Sequence, residues 1–152
     1  MGAGGGVPAL PLLVGDQALE LVLVDAAQKR MSFCAWAVAE LGLGDRCEVW
    51  TGRAEMFAHE AARRHGFDLV VARGFGPPPV TLECAAPLLR PGGWCVISEP
   101  PEPRPWPATV PELGLERIEG LDGVAVFART GDVGQTFPRP MKSQKRFPLF
   151  KL

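Results

Sequence analysis

Between Glu20 and Ser98, runs of branched apolar residues alternate with segments of helical spacing, and each break falls on Gly or Pro. That alternation is the pattern of βαβ units, in which helices cover a parallel sheet. Glu20 to Asp25 reads as a buried strand ending in a carboxylate, and a helix is expected from Gln28 to Leu41, with Phe33, Ala37 and Leu41 at spacing four. Gly42 and Gly44 stop it. Arg46 to Thr51 reads as the second strand, Glu55 to His65 as the second helix, and Phe67 to Ala72 as a third strand running into Arg73. Helical spacing resumes from Val80 to Leu89, and Arg90-Pro91-Gly92-Gly93 turns the chain into the strand Trp94 to Ser98. Pro100 to Pro111 holds six prolines and is expected to be an irregular surface connection. Leu113 to Ile118 and Gly123 to Ala128 then read as a closing antiparallel pair joined around Asp122-Gly123.

The fold class is therefore α/β, a Rossmann-like sheet, mostly parallel with an antiparallel C-terminal pair. Six strands are legible where about seven complete such a sheet. The one lacking is the first strand, which should feed the opening glycines, because Gly2 follows only Met1.

With 152 residues and 47% hydrophobic content, the chain fits one core-forming domain. Its formal net charge of -1 excludes a uniformly basic surface, so contact with a polyanion must come from a local patch. The C-terminal end supplies one. No acidic residue follows Asp132, whereas Arg139, Lys142, Lys145, Arg146 and Lys151 do, leaving 16 − 5 = 11 basic against 17 acidic residues in the body. The expected organisation is a domain over 1–130, N-terminally incomplete, and a basic tail over 131–152. Phe137, Phe147 and Phe150 interleave with the tail's charges, which suits phosphate contact with base stacking as well as it suits a disordered solubilising end.

Cys34, Cys47, Cys84 and Cys95 are widely spaced and expected to be buried thiols, and no Cys/His cluster offers a metal site. His59 and His65, six apart, read as solvated helix positions, and Trp36, Trp50, Trp94 and Trp106 as core or cover residues. No apolar run approaches the roughly 20 residues that cross a bilayer, and the N-terminus has no basic leader. A cytoplasmic protein without a membrane partner is expected.

Gly2-Ala3-Gly4-Gly5-Gly6 before an apolar helical stretch is a backbone able to approach a ligand closely, although alone it is a weak signal whose bland reading is a flexible tag or linker. Asp25 shifts the balance. It ends the next strand 25 − 6 = 19 residues beyond Gly6, where a carboxylate holds the two hydroxyls of a nucleoside ribose. It also suits a helix cap. Nicotinamide dinucleotide and S-adenosylmethionine both fit this geometry. The spacing Gly-x-Gly-x-Gly tilts mildly away from a pyrophosphate, as does the antiparallel end pair.

The ordered blocks resemble a known family. They are Gly2 to Leu12, Val24-Asp25-Ala26-Ala27-Gln28-Lys29-Arg30, Gly52-Arg53-Ala54-Glu55, Ala72-Arg73 before the proline run, and Pro87-Leu88-Leu89-Arg90-Pro91-Gly92-Gly93. Phe137-Pro138-Arg139, Lys145-Arg146 and Pro148-Leu149 continue them. Together they are similar to the bacterial 16S rRNA guanine-N7 methyltransferases, also known as glucose-inhibited division protein B. The resemblance implies a class I methyltransferase sheet, S-adenosylmethionine as cofactor and small-subunit ribosomal RNA, not DNA, as partner. It implies that Gly2, Gly4 and Gly6 wrap the methionine part of the cofactor, that Asp25 holds the ribose and that Ala54 and Glu55 border the adenine. Arg73 would face methyl transfer, and Arg139, Lys142, Lys145 and Arg146 would contact RNA. A divergent paralogue that binds cofactor or RNA without turnover is an alternative, a nicotinamide-dependent oxidoreductase a weaker one.

Two features depart from the family's pattern. One is the lacking first strand, which leaves its two neighbours with unpaired backbone groups. The other is Glu99, where the family has a Lys, and a carboxylate at an RNA-facing edge would repel phosphate.

Overall fold

A computed structural model describes residues 1–119 and 122–151, so Leu152 of the tail lies outside the described residues. The chain divides into two compact units, Met1–Ala54 and the residues from Glu55 onward.

In the first unit, helix α1 (Ala9–Gly15) precedes strand β1 (Leu21–Asp25), helix α2 (Gln28–Glu40) and strand β2 (Cys47–Thr51). β1 and β2 pair in parallel from Leu21↔Cys47 to Asp25↔Thr51, so both strands end at one edge. α2 ends as expected. Gly42 adopts φ 65, and Leu43 N–H reaches back to the Val38 carbonyl at 2.9 Å, a left-handed helix stop that glycine adopts without strain.

The inward face of α2 differs from the expected stripe. Met31, Cys34, Ala37 and Val38 are buried with Leu10, Leu13, Leu23, Leu43 and Cys47, whereas Phe33 and Leu41 are 48% and 53% exposed. Two apolar stripes run along this helix, and periodicity alone cannot tell which one packs on the strands. Trp36, stacked obliquely on Phe33 at 5.7 Å, lies on the outer stripe and is no core residue.

Helix α3 (Ala54–Phe57) starts at the last residue of the first unit, and the second unit continues with strand β3 (Phe67–Ala72), helix α4 (Pro78–Ala85) and strand β4 (Leu89–Ser98). There follow β5 (Thr109–Val110), a 3-10 turn (Pro111–Leu113), β6 (Leu115–Ile118), β7 (Val124–Arg129) and helix α5 (Met141–Arg146). The sheet order is β3-β4-β7-β6-β5, with β3 and β4 parallel and the other pairs antiparallel. The expected antiparallel closing pair is present, from Leu115↔Arg129 to Ile118↔Val126. Among the described residues β1 and β3 each have a single strand neighbour. In the first unit the open edge of β1 is partly satisfied by the glycine loop, because Ala3 N–H donates to the Val24 carbonyl at 3.0 Å.

Four expectations are corrected. The helix over Glu55 to His65 stops at Phe57, and the chain continues in tighter i→i−3 turns, His59 to Met56, Glu60 to Phe57 and Arg63 to Glu60. The helix expected from Val80 to Leu89 starts at Pro78 and ends at Ala85, with prolines in its first turn, where a missing N–H costs nothing. Arg90 to Gly93 is a bulge within β4, opposite the register shift between Phe67 and Leu69, rather than a turn before the strand. The proline-rich connection carries β5, whose Thr109 and Val110 pair with Glu116 and Leu115 at the sheet edge, where prolines on either side do little harm.

Candidate functional site

Asp25 is where the first unit converges. Its Oδ2 accepts the Gly4 N–H at 2.9 Å and its Oδ1 the Ala27 N–H at 2.8 Å, while its carbonyl accepts the Gly52 N–H at 3.0 Å. One strand-end residue thus ties together the glycine loop, the start of α2 and the turn after β2. Asp25 is not the N-cap expected for it: that position falls to Ala27, which has no side-chain cap, and Asp25 closes the turn just before it. Each carboxylate oxygen keeps a second lone pair for a hydroxyl donor.

The loop itself is shaped by residues that only glycine replaces without strain. Gly2, Gly4 and Gly6 have φ of 64, 55 and 85. A Cβ on Gly6 would fall 2.5 Å from the Leu10 side chain, so close packing of α1 under the loop requires glycine there. In front of Gly5 there is open space, and a Cβ on Gly4 would meet only the Gly2 carbonyl at 3.9 Å, leaving room for a ligand against the backbone. Cys34 supports the loop from below with its thiol on the Gly4 carbonyl at 3.5 Å, and burial, then the Asp25 charge, push that thiol's pKa up. At the neighbouring strand end a Cβ on Gly52 would fall 2.5 Å from the Trp50 ring, so the indole packs against the turn that leads to buried Ala54.

The structure therefore brings Gly2, Gly4 and Gly6 together with Asp25, at a strand end shared with the turn before Ala54. A nucleoside fits these donors and acceptors: a carboxylate for ribose hydroxyls and an uncluttered glycine backbone.

The other predicted residues belong to the second unit. Glu55 lies in the first turn of α3. Arg73 is exposed directly after β3, and among the described residues no ion pair involves it. Thr81 Oγ1 donates to the Gly76 and Pro77 carbonyls at 3.2 and 3.1 Å, tying the loop after Arg73 to α4.

The tail is ordered against this unit. Arg139 meets the Glu83 carboxylate with its backbone N–H at 2.8 Å, its Nε at 2.8 Å and its Nη2 at 2.7 Å, and the Glu83 side chain is 1% exposed. Gln144, also buried, donates to the Arg139 carbonyl at 2.6 Å. Arg64 donates to the Phe137 carbonyl at 2.6 Å, and His59 Nε2 donates to that of Pro138 at 2.7 Å. Lys142, Lys145 and Arg146 stand exposed on α5, with the Arg146 guanidinium 5.2 Å from the Phe147 ring centre.

Both histidines lie in turns rather than helices, and His59 is exposed as expected whereas His65 is half-buried. His65 sits at φ 57 and accepts Arg129 Nη1 on its Nδ1 at 2.5 Å. Burial, then the Arg129 charge, lower its pKa. Glu99 does not present a free charge. It is 6% exposed and held by Arg104 through Nε at 3.0 Å and the backbone N–H at 2.8 Å. Burial alone would raise its pKa, but the hydrogen bonds from Arg104 carry it below the usual value. The expected repulsion of phosphate at this position is thereby muted.

All four cysteines are free and buried. Trp106 is buried, whereas Trp94 is 49% exposed and so is no core residue. Among the described residues no cluster of metal-ligating side chains occurs, and no helix is long and apolar enough to cross a membrane.

A parallel strand that ends in a carboxylate beside a glycine loop and, later in the chain, an antiparallel closing pair define the class: an α/β protein of the methyltransferase fold. A SAM dependent methyltransferase from Aquifex aeolicus aligns with TM-score 0.61 and 16% identity, over 84% of this chain and 78% of that one. An O-methyltransferase family protein from Burkholderia thailandensis aligns with TM-score 0.63 and 16% identity, over 88% of this chain and 50% of that one. At the sequence level the family described as rRNA small subunit methyltransferase G matches residues 1–99, and the chain belongs to that family. Ribosomal RNA small subunit methyltransferase G of Geobacillus thermodenitrificans is 34% identical over 150 residues, covering 99% of this chain and 58% of that protein. Its namesake in Deinococcus radiodurans is 41% identical over 101 residues, 66% of this chain and 40% of that protein. The chain thus spans less than two thirds of the length of these relatives.

Proposed function

We propose that this protein takes part in S-adenosylmethionine-dependent methylation of N7 of a guanine in small-subunit ribosomal RNA, in the cytoplasm. The observation that carries this reading is the Gly4 N–H bonded to the Asp25 carboxylate at 2.9 Å, which holds a glycine backbone beside the acid proposed here for the ribose. Gly2, Gly4 and Gly6 would line the methionine part of the cofactor, Asp25 the ribose, and Ala54 and Glu55 the adenine. Once bound, the cofactor supplies a sulfonium methyl group.

The chain's own task is then alignment. Guanine N7 carries an in-plane lone pair and has no proton to lose, so no general base is assigned, and the rate gain rests on holding nitrogen, methyl carbon and sulfur in line. Arg73 would orient the base at that position. Residues 1–130 would form the methyl-donor domain and 131–152 the RNA contact, with Lys142, Lys145 and Arg146 on phosphates and Arg139 fixing the segment that carries them.

Incubating the protein with small-subunit RNA and methyl-labelled S-adenosylmethionine tests this directly. Label recovered in 7-methylguanosine is expected. Cofactor binding without label in RNA would leave the non-catalytic paralogue, and binding of NAD in place of S-adenosylmethionine would remove the proposal.

A further inference from the structure

We infer that Glu83 and Arg139 are positioning residues for RNA: their buried ion pair locks the basic segment 141–146 in place, so that Arg139 serves RNA binding without touching a phosphate. This inference rests on the reading above of the tail as the RNA contact.

The geometry sets Arg139 apart from the other tail cations. Glu83 is inaccessible on α4, all eight residues of which are buried, and Arg139 spends its Nε, its Nη2 and its backbone N–H on that one carboxylate. A fork-shaped pair of this kind fixes orientation as well as charge. The fixation extends along the chain. His59 and Arg64 take the two preceding carbonyls, of Pro138 and Phe137, and Gln144 takes that of Arg139. Those bonds leave the α5 cations facing outward: Lys142, Lys145 and Arg146 are exposed while Gln144 between them is 1% exposed.

A charged segment that is already ordered loses less conformational entropy on meeting a polyanion than a floppy one. The partner it fits is a phosphate backbone, because no acidic residue lies on the segment to select anything else. α4 also carries Thr81, which ties the loop after Arg73, so one buried helix anchors both the proposed base-orienting loop and the RNA-contact segment.

The test is the sign of the change in Glu83→Gln. Affinity of the full chain for transcribed small-subunit RNA is measured over a series of salt concentrations, with S-adenosylmethionine affinity as a parallel readout. Glu83→Gln removes a negative charge, which would strengthen binding if Arg139 were a phosphate contact set free. The lock predicts about tenfold weaker binding. It also predicts a salt slope that changes by less than the roughly 0.7 that one lost phosphate contact removes. Cofactor affinity stays unchanged. If Glu83→Gln does not fold, Arg139→Lys carries the test: lysine keeps the charge but not the fork, so weaker binding at unchanged slope is expected, whereas a contact role predicts binding as in the parent. Unchanged or tighter RNA binding in the folded variant overturns the lock alone. No RNA binding by the parent chain overturns the tail reading and the lock together.

Discussion

The glycine loop and the basic tail are both short, polar and aperiodic, yet they are held in opposite ways. The loop is fixed by its own backbone against a single acid at the next strand end, through Gly4 N–H to Asp25 and Ala3 N–H to Val24. The tail is fixed by side chains 56 to 79 positions away: Glu83 on Arg139, Arg64 on Phe137 and His59 on Pro138. A loop whose shape depends on φ values that glycine tolerates announces itself in the residues it uses. A tail whose shape depends on distant partners does not.

The comparison can be broken at several points. Glu83→Ala is expected to have the largest effect, lowering stability by about 3 to 5 kcal/mol, because it leaves the Arg139 guanidinium partly buried without its partner. Denaturant unfolding measures it, and a loss under about 1 kcal/mol would mean that the tail is only loosely attached. Asp25→Ala should weaken S-adenosylmethionine binding by about 2 to 3 kcal/mol, since the Gly4 and Ala27 N–H groups lose their acceptor and the ribose its carboxylate. Unchanged affinity would detach the loop from the site. Gly6→Ala should cost about 1 to 3 kcal/mol of stability through its clash with Leu10, as read by thermal unfolding.

The smallest effect is a pH dependence. Because the folded protein holds the His65 pKa below its unfolded value, the unfolded chain binds the proton more readily, and stability is lost as pH falls from about 6.5 toward the lowered value. His65→Asn tolerates the positive φ, keeps an acceptor for Arg129 and should flatten that loss. Equal slopes in the parent and the variant would assign the titration elsewhere.

Much of the frame was legible in the sequence. β1, β2, β3 and the antiparallel pair fall within two residues of their expected positions, because short branched runs bounded by Gly or Pro have few alternatives. Asp25 was legible as well, since a carboxylate ending a strand after a glycine run carries its own chemistry. What stayed hidden depended on distance. The residues after Phe57 have helical composition, but His59 and Arg64 are drawn to tail carbonyls and the chain there folds in tighter turns. Nothing in the sequence marks Glu83 as buried, and only the fold sets it against Arg139. Glu99 read as a repulsive charge because nothing in the chain order says that Arg104 neutralises it. On α2 the apolar stripe of Phe33 and Leu41 was as plausible as that of Met31 and Cys34 until the strands beneath were in place.

Calorimetric titration of the parent chain with S-adenosylmethionine, repeated with NAD, reaches the core of the account most directly. One molecule of S-adenosylmethionine bound per chain, with no heat from NAD, is the expected result. Saturable binding of NAD and none of S-adenosylmethionine would contradict it.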